Sequence, residues 1–187
     1  MVIYNCNFIP FDTSDETTKR ANPELLYAVR KLQDAGSDVI VIPSNTPHLF
    51  YNEMASSVSV PVLNIIEETT KAVKGTNVKN AGIVPSHPEV GNLYREFLSK
   101  YNIEATTPEN YYSQITHMIE EFMAGRSIDS AKEFFTGLMD DLDRKTDVTI
   151  LACTELPLIL GNDLNKYRFV DSTQVLAEIT VERALTQ

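Results

Sequence analysis

The chain reads Asp38-Val39-Ile40-Val41-Ile42-Pro43-Ser44, and the four residues after the aspartate are all apolar and do not alternate with polar ones. Short, β-branched runs of this kind are typical of parallel strands that are covered on both faces. We therefore expect a mainly parallel sheet, with Ser44 at the point where one strand gives way to a helix.

Helical and strand patterns alternate on both sides of this stretch. Asn22-Pro23-Glu24 predicts a helix start, with an N-cap, a first-turn proline and an acidic first turn, and Gly36 predicts the end of that helix. Residues 2–8 alternate with the period of a strand. Further predicted strands are 60–65, 81–84, 103–106, 147–152 and 167–170, and further predicted helices are 46–56, one ending at 73, 90–101, 115–122, 134–142, 155–160 and 173–186. This alternation predicts a doubly wound α/β fold.

The polar connection Lys74-Gly75-Thr76-Asn77 separates two sets of these units and predicts a hinge at residues 74–78. We expect an N-terminal α/β lobe at 1–74, completed by the terminal helix at 173–187, and a C-terminal α/β lobe at 79–172. The predicted architecture is thus two doubly wound lobes with mainly parallel sheets.

One pattern occurs twice, at an offset of 109 residues. Asp38-Val39 stands before Ser44 at the same spacing as Asp147-Val148 before Cys153, and each copy ends a predicted strand that lies between two helices. Ligands bind at the carboxyl edge of open α/β sheets, so two lobes related by a pseudo-twofold axis would direct Ser44 and Cys153 into one cleft. The alternative is a chance match, because Asp-Val is a common strand beginning.

Cys153 is followed by the polar pair Thr154-Glu155, which favours a functional role for the thiol. A helix N-terminus favours the thiolate through its free N–H groups and dipole. A lone cysteine more often only packs, and packing is our interpretation of Cys6, which shares an apolar face with Tyr4 and Phe8. Glu155 caps the helix or, alternatively, orients a ligand.

Composition excludes several functional classes. Sixteen Lys and Arg stand against 26 Asp and Glu, a formal charge of −10, so we expect no nucleic-acid partner. The apolar runs fall far short of the roughly 18 residues of a membrane span, so no membrane partner is expected. Two cysteines make neither a disulfide framework nor a zinc motif, which predicts a reducing, cytoplasmic location and no metal.

Four segments resemble the aspartate/glutamate racemase family, and the resemblance extends from about residue 1 to the last helix. The segment from Cys153 to Pro157 is fairly specific. The segments are Ser44-Asn45-Thr46-Pro47-His48, Val60-Pro61-Val62-Leu63-Asn64-Ile65, Ala152-Cys153-Thr154-Glu155-Leu156-Pro157 and Phe169-Val170-Asp171-Ser172-Thr173.

The resemblance implies a racemase that uses no cofactor and binds an amino acid or dicarboxylate between two lobes, often as a homodimer. Two cysteines then flank the α-carbon: one thiolate removes the α-proton, and the other thiol protonates the opposite face. Each must lie within about 3–3.5 Å of the carbon. By this resemblance Cys153 is one thiol, and Asn45, Thr46 and Thr154 hold the amino and α-carboxyl groups, partly through backbone N–H groups.

Ser44 stands where the family carries its other cysteine. A hydroxyl is a far weaker acid than a thiol, whose pKa is about 8.5, and it needs an adjacent base to act as a thiolate does. We therefore expect impaired racemisation, with Cys153 exchanging the α-proton from one face. A non-catalytic module that binds a small carboxylate is the alternative, and an isomerase or decarboxylase with Cys153 as nucleophile is a third hypothesis.

The start of the chain also departs from the family. Members usually begin with a strand, a glycine-rich loop and a helix before the segment that opens here with Met1-Val2-Ile3-Tyr4. The chain has 7 glycines and none forms such a loop. We expect the first βα unit of the N-terminal lobe to be missing, and either a truncated product or a partner that covers the open sheet edge.

The side-chain pocket is expected to differ as well. Asp12, in Ile9-Pro10-Phe11-Asp12-Thr13, replaces the arginine that pairs with the distal carboxylate in aspartate-specific members. A carboxylate there repels an acidic substrate, so a neutral or basic amino acid is possible. Ser86 is the nearest match for a carboxylate-binding hydroxyl. His48 is either a proton carrier or structural, and His87 either meets the substrate or is a loop residue.

Overall fold

A four-stranded, wholly parallel sheet is the centre of the protein. The computed structural model describes residues 1–6 and 15–186, with side chains described for 1–6 and 22–186. The two inner strands pair from Ala81 with Val148 to Pro85 with Ala152. The strands are β1 Asn80–Pro85, β2 Glu104–Thr106, β3 Val148–Ala152 and β4 Phe169–Asp171, in the order β2-β1-β3-β4. The predicted α/β fold with a parallel sheet is confirmed.

Helices connect the strands and cover the sheet. The α-helices are α1 Asp15–Asp34, α2 Tyr51–Ser56, α3 Ile65–Gly75, α4 Pro88–Ser99, α5 Tyr112–Met123, α6 Ile128–Asp143, α7 Leu156–Leu160 and α8 Ser172–Leu185. Short 3₁₀ helices occupy Thr46–Phe50, Glu109–Tyr111 and Gly161–Lys166. No described helix is long and apolar enough to cross a membrane.

The sheet has a hydrophobic core on each face. Ile83 and Ile150 pack with α3, α4 and α8 on one face, whereas Val84 and Leu151 pack with α5, α6 and α7 on the other. Successive side chains of a strand point to opposite faces, so each inner strand contributes to both cores. This explains why the inner strands are mostly apolar, with Thr149 in β3 and Asn80 at the start of β1 as the polar exceptions.

The segment that precedes Ser44 forms less sheet than its sequence predicts. The strands predicted at 38–43 and 60–65 are reduced to one parallel bridge between Ile40 and Val62. Ile40 donates to Pro61 O at 2.8 Å, and Leu63 donates to Ile40 O at 2.9 Å. Pro61 has no N–H to continue the ladder toward Asp38, which is the physical reason for its short length.

A third, smaller core forms around this bridge. Leu25 and Val29 of α1 pack there with Ile40, Met54 and Val62. Residues 1–6 form no strand, contrary to the strand predicted at 2–8, and no described strand pairs with them; residues 7 and 8 lie outside the described part. The division into lobes at 74–78 and the absence of a first βα unit stay predictions.

The first helix begins earlier than expected. It starts at Asp15 and runs through Pro23, so the predicted start at Asn22 is wrong. Asn22 Oδ1 has no hydrogen-bond partner among the described residues and caps nothing. The predicted end at Gly36 is confirmed, because Gly36 adopts φ +83° and donates to Gln33 O, while Ser37 donates to Leu32 O.

Two glycines provide a paired test of this packing. In β1, a Cβ on Gly82 would lie 3.1 Å from both Thr146 Oγ1 and Thr149 Oγ1, whereas a Cβ on Gly137 of α6 would meet nothing within 4 Å. We expect Gly82→Ala to lower the free energy of unfolding by about 1–3 kcal/mol. Gly137→Ala should raise it by about 0.5–1 kcal/mol. Urea denaturation measures both, and equal effects would contradict the packing described.

Candidate functional site

A cavity of about 230 Å³ opens at the carboxyl edge of the sheet. Since β1 and β3 are parallel neighbours, the residues that follow them reach the same edge. The 44–46 turn closes the cavity from another part of the chain, and α5 forms one wall. The lining residues are Ser44, Asn45, Thr46, Ser86, His87, Thr116, Ile119, Glu120, Met123, Ala152, Cys153, Thr154 and Glu155.

Most of the site residues expected from the sequence meet in this cavity. Asp12 lies outside the described residues. The others all line the cavity, namely Ser44, Asn45, Thr46, Ser86, Cys153, Thr154 and Glu155. Their individual roles stay predictions, and Glu120, Ile119 and Met123 join them from a helix that the sequence analysis did not connect with the site.

The Ser44 turn is held by His48, which is buried. His48 Nδ1 lies 2.9 Å from Ser44 O, and Ile65 N–H donates to Nε2 at 3.3 Å. Burial lowers the pKa of His48, which favours the neutral ring. Both ring nitrogens face a backbone carbonyl, since Nε2 also lies 3.3 Å from Leu63 O, and the tautomer decides which of the two accepts the ring proton. The ring lies outside the cavity lining, and this arrangement matches the structural interpretation of His48.

Both the oxygen and the nitrogen of the Asn45 side-chain amide form hydrogen bonds. Tyr94 OH donates to Asn45 Oδ1 at 2.8 Å, and Asn45 Nδ2 donates to Ser172 Oγ at 3.0 Å. Ser172 Oγ donates in turn to Leu151 O at 2.9 Å. These residues are buried, and burial raises the pKa of Tyr94 far above its usual value, so the phenol keeps its proton. We call these four residues the Asn45 relay.

The relay shows what the sequence analysis missed. Ser172 lies within a segment of the family resemblance, whereas Tyr94 lies in the predicted helix at 90–101, which no sequence pattern connected with the turn. The relay fastens the turn to α4, to the start of α8 and to β3. The side chain of Asn45 therefore positions the turn, and its contact with a substrate stays a prediction.

Hydroxyl groups gather at the inner end of the cavity. Thr46 Oγ1 lies 3.2 Å from Ser86 Oγ, and Thr116 Oγ1 donates to Ser86 O at 3.1 Å. Hydroxyls can donate to a carboxylate, so this end of the cavity is suited to an anionic group. No described group of His, Cys, Asp and Glu side chains is arranged to hold a metal ion.

Cys153 is paired with a carboxylate. Its Sγ donates to Glu155 Oε2 at 2.9 Å, and Thr154 Oγ1 donates to the same oxygen at 3.1 Å. Burial, and then the charge and hydrogen bond of Glu155, raise the pKa of Cys153 well above that of an ordinary thiol. Burial and Glu155 thus oppose the thiolate, and these effects outweigh the nearby N–H groups at the start of the five-residue α7.

Comparisons with known proteins find similarity to racemases over nearly the whole chain. The family model described as Asp/Glu/Hydantoin racemase matches residues 1–180. The broad specificity amino-acid racemase RacX of Bacillus subtilis (strain 168) is 26% identical over 190 residues, which cover 99% of this chain and 82% of that protein.

Two solved structures have a similar fold. An aspartate racemase homologue from Pyrococcus horikoshii OT3 aligns with a TM-score of 0.75 and 22% identity, covering 98% of this chain and 82% of that one. Picrophilus torridus aspartate racemase aligns with a TM-score of 0.76 and 22% identity, covering 93% and 72%. This chain therefore shares their fold.

Removing the hydroxyl of Tyr94 tests the relay. Tyr94→Phe leaves Asn45 Oδ1 buried without its donor, so we expect the free energy of unfolding to fall by about 1–3 kcal/mol. Tyr101→Phe is the control, since the Tyr101 ring is half-buried near Lys74. Thermal or urea unfolding measures both variants, and an equal, small effect of the two would count against the relay.

Neutralising Glu155 tests its effect on the thiol. In a Cys6→Ser background only Cys153 can react with iodoacetamide, and the thiolate is the reactive form. Glu155→Gln removes a charge that raises the Cys153 pKa, so the alkylation profile should move to lower pH, with about tenfold faster reaction per unit of pKa below the new pKa. Mass spectrometry follows the adduct. A profile that stays in place or moves to higher pH would contradict the assigned pairing.

Proposed function

Since this chain belongs to the Asp/Glu/hydantoin racemase family, we propose that it binds a free amino acid and exchanges its α-proton without pyridoxal phosphate or another cofactor. One observation carries the proposal: Cys153 and Ser44, from distant parts of the sequence, line one cavity. The reaction class is isomerisation at the α-carbon, with Cys153 as the acid/base group.

Binding in this proposal uses two groups of polar side chains in the cavity lining. The hydroxyls of Thr46 and Ser86 receive the substrate α-carboxylate, assisted by the backbone at the turn. Thr154 and Glu155 face the α-ammonium group. A cation beside Glu155 offsets the negative charge that holds the Cys153 pKa high, so substrate binding favours the thiolate.

The proton transfers then follow from the short contact at Cys153. Glu155 Oε2, 2.9 Å from Sγ, passes the thiol proton on to solvent, which leaves Cys153 as the thiolate and Glu155 as the carboxylate that pairs with the ammonium group. The thiolate takes the α-proton, forming an S–H bond, and the C–H electron pair passes to the α-carbon and its carboxylate as an enolate-like anion. Return of a proton from the same sulfur restores the amino acid without inversion.

Inversion needs a proton donor on the opposite face, which is the proposed place of Ser44. The Ser44 hydroxyl has no carboxylate or imidazole acceptor among the described residues, because His48 contacts the Ser44 carbonyl instead. A hydroxyl without a base protonates the carbanion slowly. We therefore expect α-proton exchange to be faster than racemisation.

The resemblance to the family also leads us to propose a cytoplasmic homodimer with a hinge at 74–78 between two lobes. Size-exclusion chromatography with light scattering measures the oligomeric state directly. A monomer at micromolar concentration would contradict the dimer without affecting the proposed chemistry.

A second candidate function is a non-catalytic module that binds a small carboxylate or amino acid. It is favoured by the raised pKa of Cys153 together with Ser44 in place of a thiol. Such a module would be stabilised against heat by its ligand, yet it would exchange no α-proton.

Restoring a thiol at position 44 tests the catalytic proposal. The wild-type chain should exchange the α-proton in D₂O with little inversion, and Ser44→Cys should raise racemisation by about 10²-fold or more, the scale of one acid/base group. Cys153→Ser should abolish exchange. Proton NMR measures exchange and chiral chromatography measures inversion.

Ser99→Cys is the matched control, because Ser99 is exposed on α4 and outside the cavity lining. It should leave both rates unchanged. If neither the wild-type chain nor Ser44→Cys exchanges the α-proton of any common amino acid that they bind, the binding module replaces the racemase proposal.

A further inference from the structure

One face of α5 forms the wall of the cavity. Thr116, Ile119, Glu120 and Met123 line it, at the spacing of neighbours on one side of a helix. The face is polar at its inner end, where Thr116 donates to Ser86 O, and apolar at Ile119. It ends at Met123, which is 67% exposed, so this face leads from the inner hydroxyls to solvent.

Apart from His87, the charged side chains that line the cavity are acidic. Among the described lining residues, Glu120 and Glu155 carry negative charge, and none is Lys or Arg. Glu120 has no ion-pair partner in the described part of the chain, whereas its neighbour Glu121 is bound by Arg126 at 2.7 Å. A substrate side chain that follows α5 outward therefore meets an unpaired carboxylate.

The spacing along α5 fits a long side chain. Thr116 and Glu120 are one helical turn apart, about 6 Å along the axis. Lysine and arginine carry three or four methylenes before their charged group. With the α-carbon near Cys153 and the carboxylate at the inner hydroxyls, such a stem can lie on Ile119 while its cationic end approaches Glu120.

We propose that Glu120 is a specificity-determining residue that selects free amino acids with long cationic side chains, of the lysine, ornithine and arginine type. This inference rests on the proposed function, since it assumes that the cavity holds a free amino acid. It adds the class of substrate. Because the carboxylate of Glu120 attracts cations, the selected side chains are opposite in charge to those of aspartate and glutamate.

The expected preference for a cationic over a neutral side chain is modest, because Glu120 is exposed to solvent. Ion pairs between exposed groups favour binding by roughly twofold to fivefold. The preference over an acidic side chain is larger, because the same carboxylate then repels the ligand. Salt should reduce both effects, since the Debye length is about 3 Å at 1 M ionic strength.

Three probes test the proposal: DL-lysine, DL-norleucine and DL-glutamate. Norleucine has an unbranched aliphatic side chain without the ammonium group, so the lysine-to-norleucine ratio isolates the effect of charge. Titration calorimetry measures binding, and proton NMR in D₂O measures α-proton exchange. We expect lysine to bind roughly twofold to fivefold more tightly than norleucine, and glutamate to bind most weakly.

Glu120→Gln should bring the lysine-to-norleucine ratio to about one, and Glu120→Lys should reverse the order of lysine and glutamate. Glu121→Gln is the matched control, since it removes the same charge one residue along α5 but outside the cavity lining. It should leave the ratio as in the wild-type chain.

The two measurements separate this inference from the proposed function. Exchange of norleucine and lysine at equal rates, with equal affinities, overturns charge selection by Glu120 and leaves the racemase proposal standing. Tighter binding of lysine that depends on Glu120, without exchange of bound lysine by the wild-type chain or by Ser44→Cys, supports the selection and favours the binding module over the racemase. Binding of none of the three probes overturns charge selection by Glu120, whereas the racemase proposal is then decided by exchange of the other common amino acids.

Discussion

The site depends on a buried hydrogen-bond chain that fastens the turn at Ser44 to the sheet. The backbone before this turn is held by a single parallel bridge at Ile40, so sheet pairing alone does not position it. Tyr94, Ser172 and the Leu151 carbonyl supply the missing restraint through the amide of Asn45. A buried amide satisfied at both ends has one low-energy orientation, and that orientation sets where the turn meets the cavity.

The fold could be predicted where one local pattern decides the structure. The inner strands β1 and β3 are short, mostly apolar segments between helices. Gly36 ends its helix because only a left-handed φ completes the hydrogen bonds there. The prediction failed where the structure depends on a residue of a neighbouring segment, or on a helix that tolerates an internal proline. Pro61 shortens the strand that includes Ile40, and α1 continues through Pro23.

Much of the cavity lining could be predicted for a topological reason. Residues that follow neighbouring parallel strands meet at one edge of the sheet. Ser86 and Cys153 therefore reach the same edge, whatever the packing of the helices that connect their strands. The contribution of α5 could not be predicted in this way, because a helix face is assigned to a cavity only by tertiary packing. The state of the sulfur depended on burial and on which way Glu155 points, neither of which the sequence pattern contains.

The pairing of Cys153 with Glu155 also affects how readily the Cys153 sulfur is oxidised. Peroxide attacks thiolates, and a buried sulfur that keeps its proton is a poor target for conversion to sulfenic acid. The Glu155 carboxylate, which raises the pKa of the Cys153 thiol, thus protects the sulfur from oxidation. A cation bound in the cavity would remove this protection for as long as it stays bound.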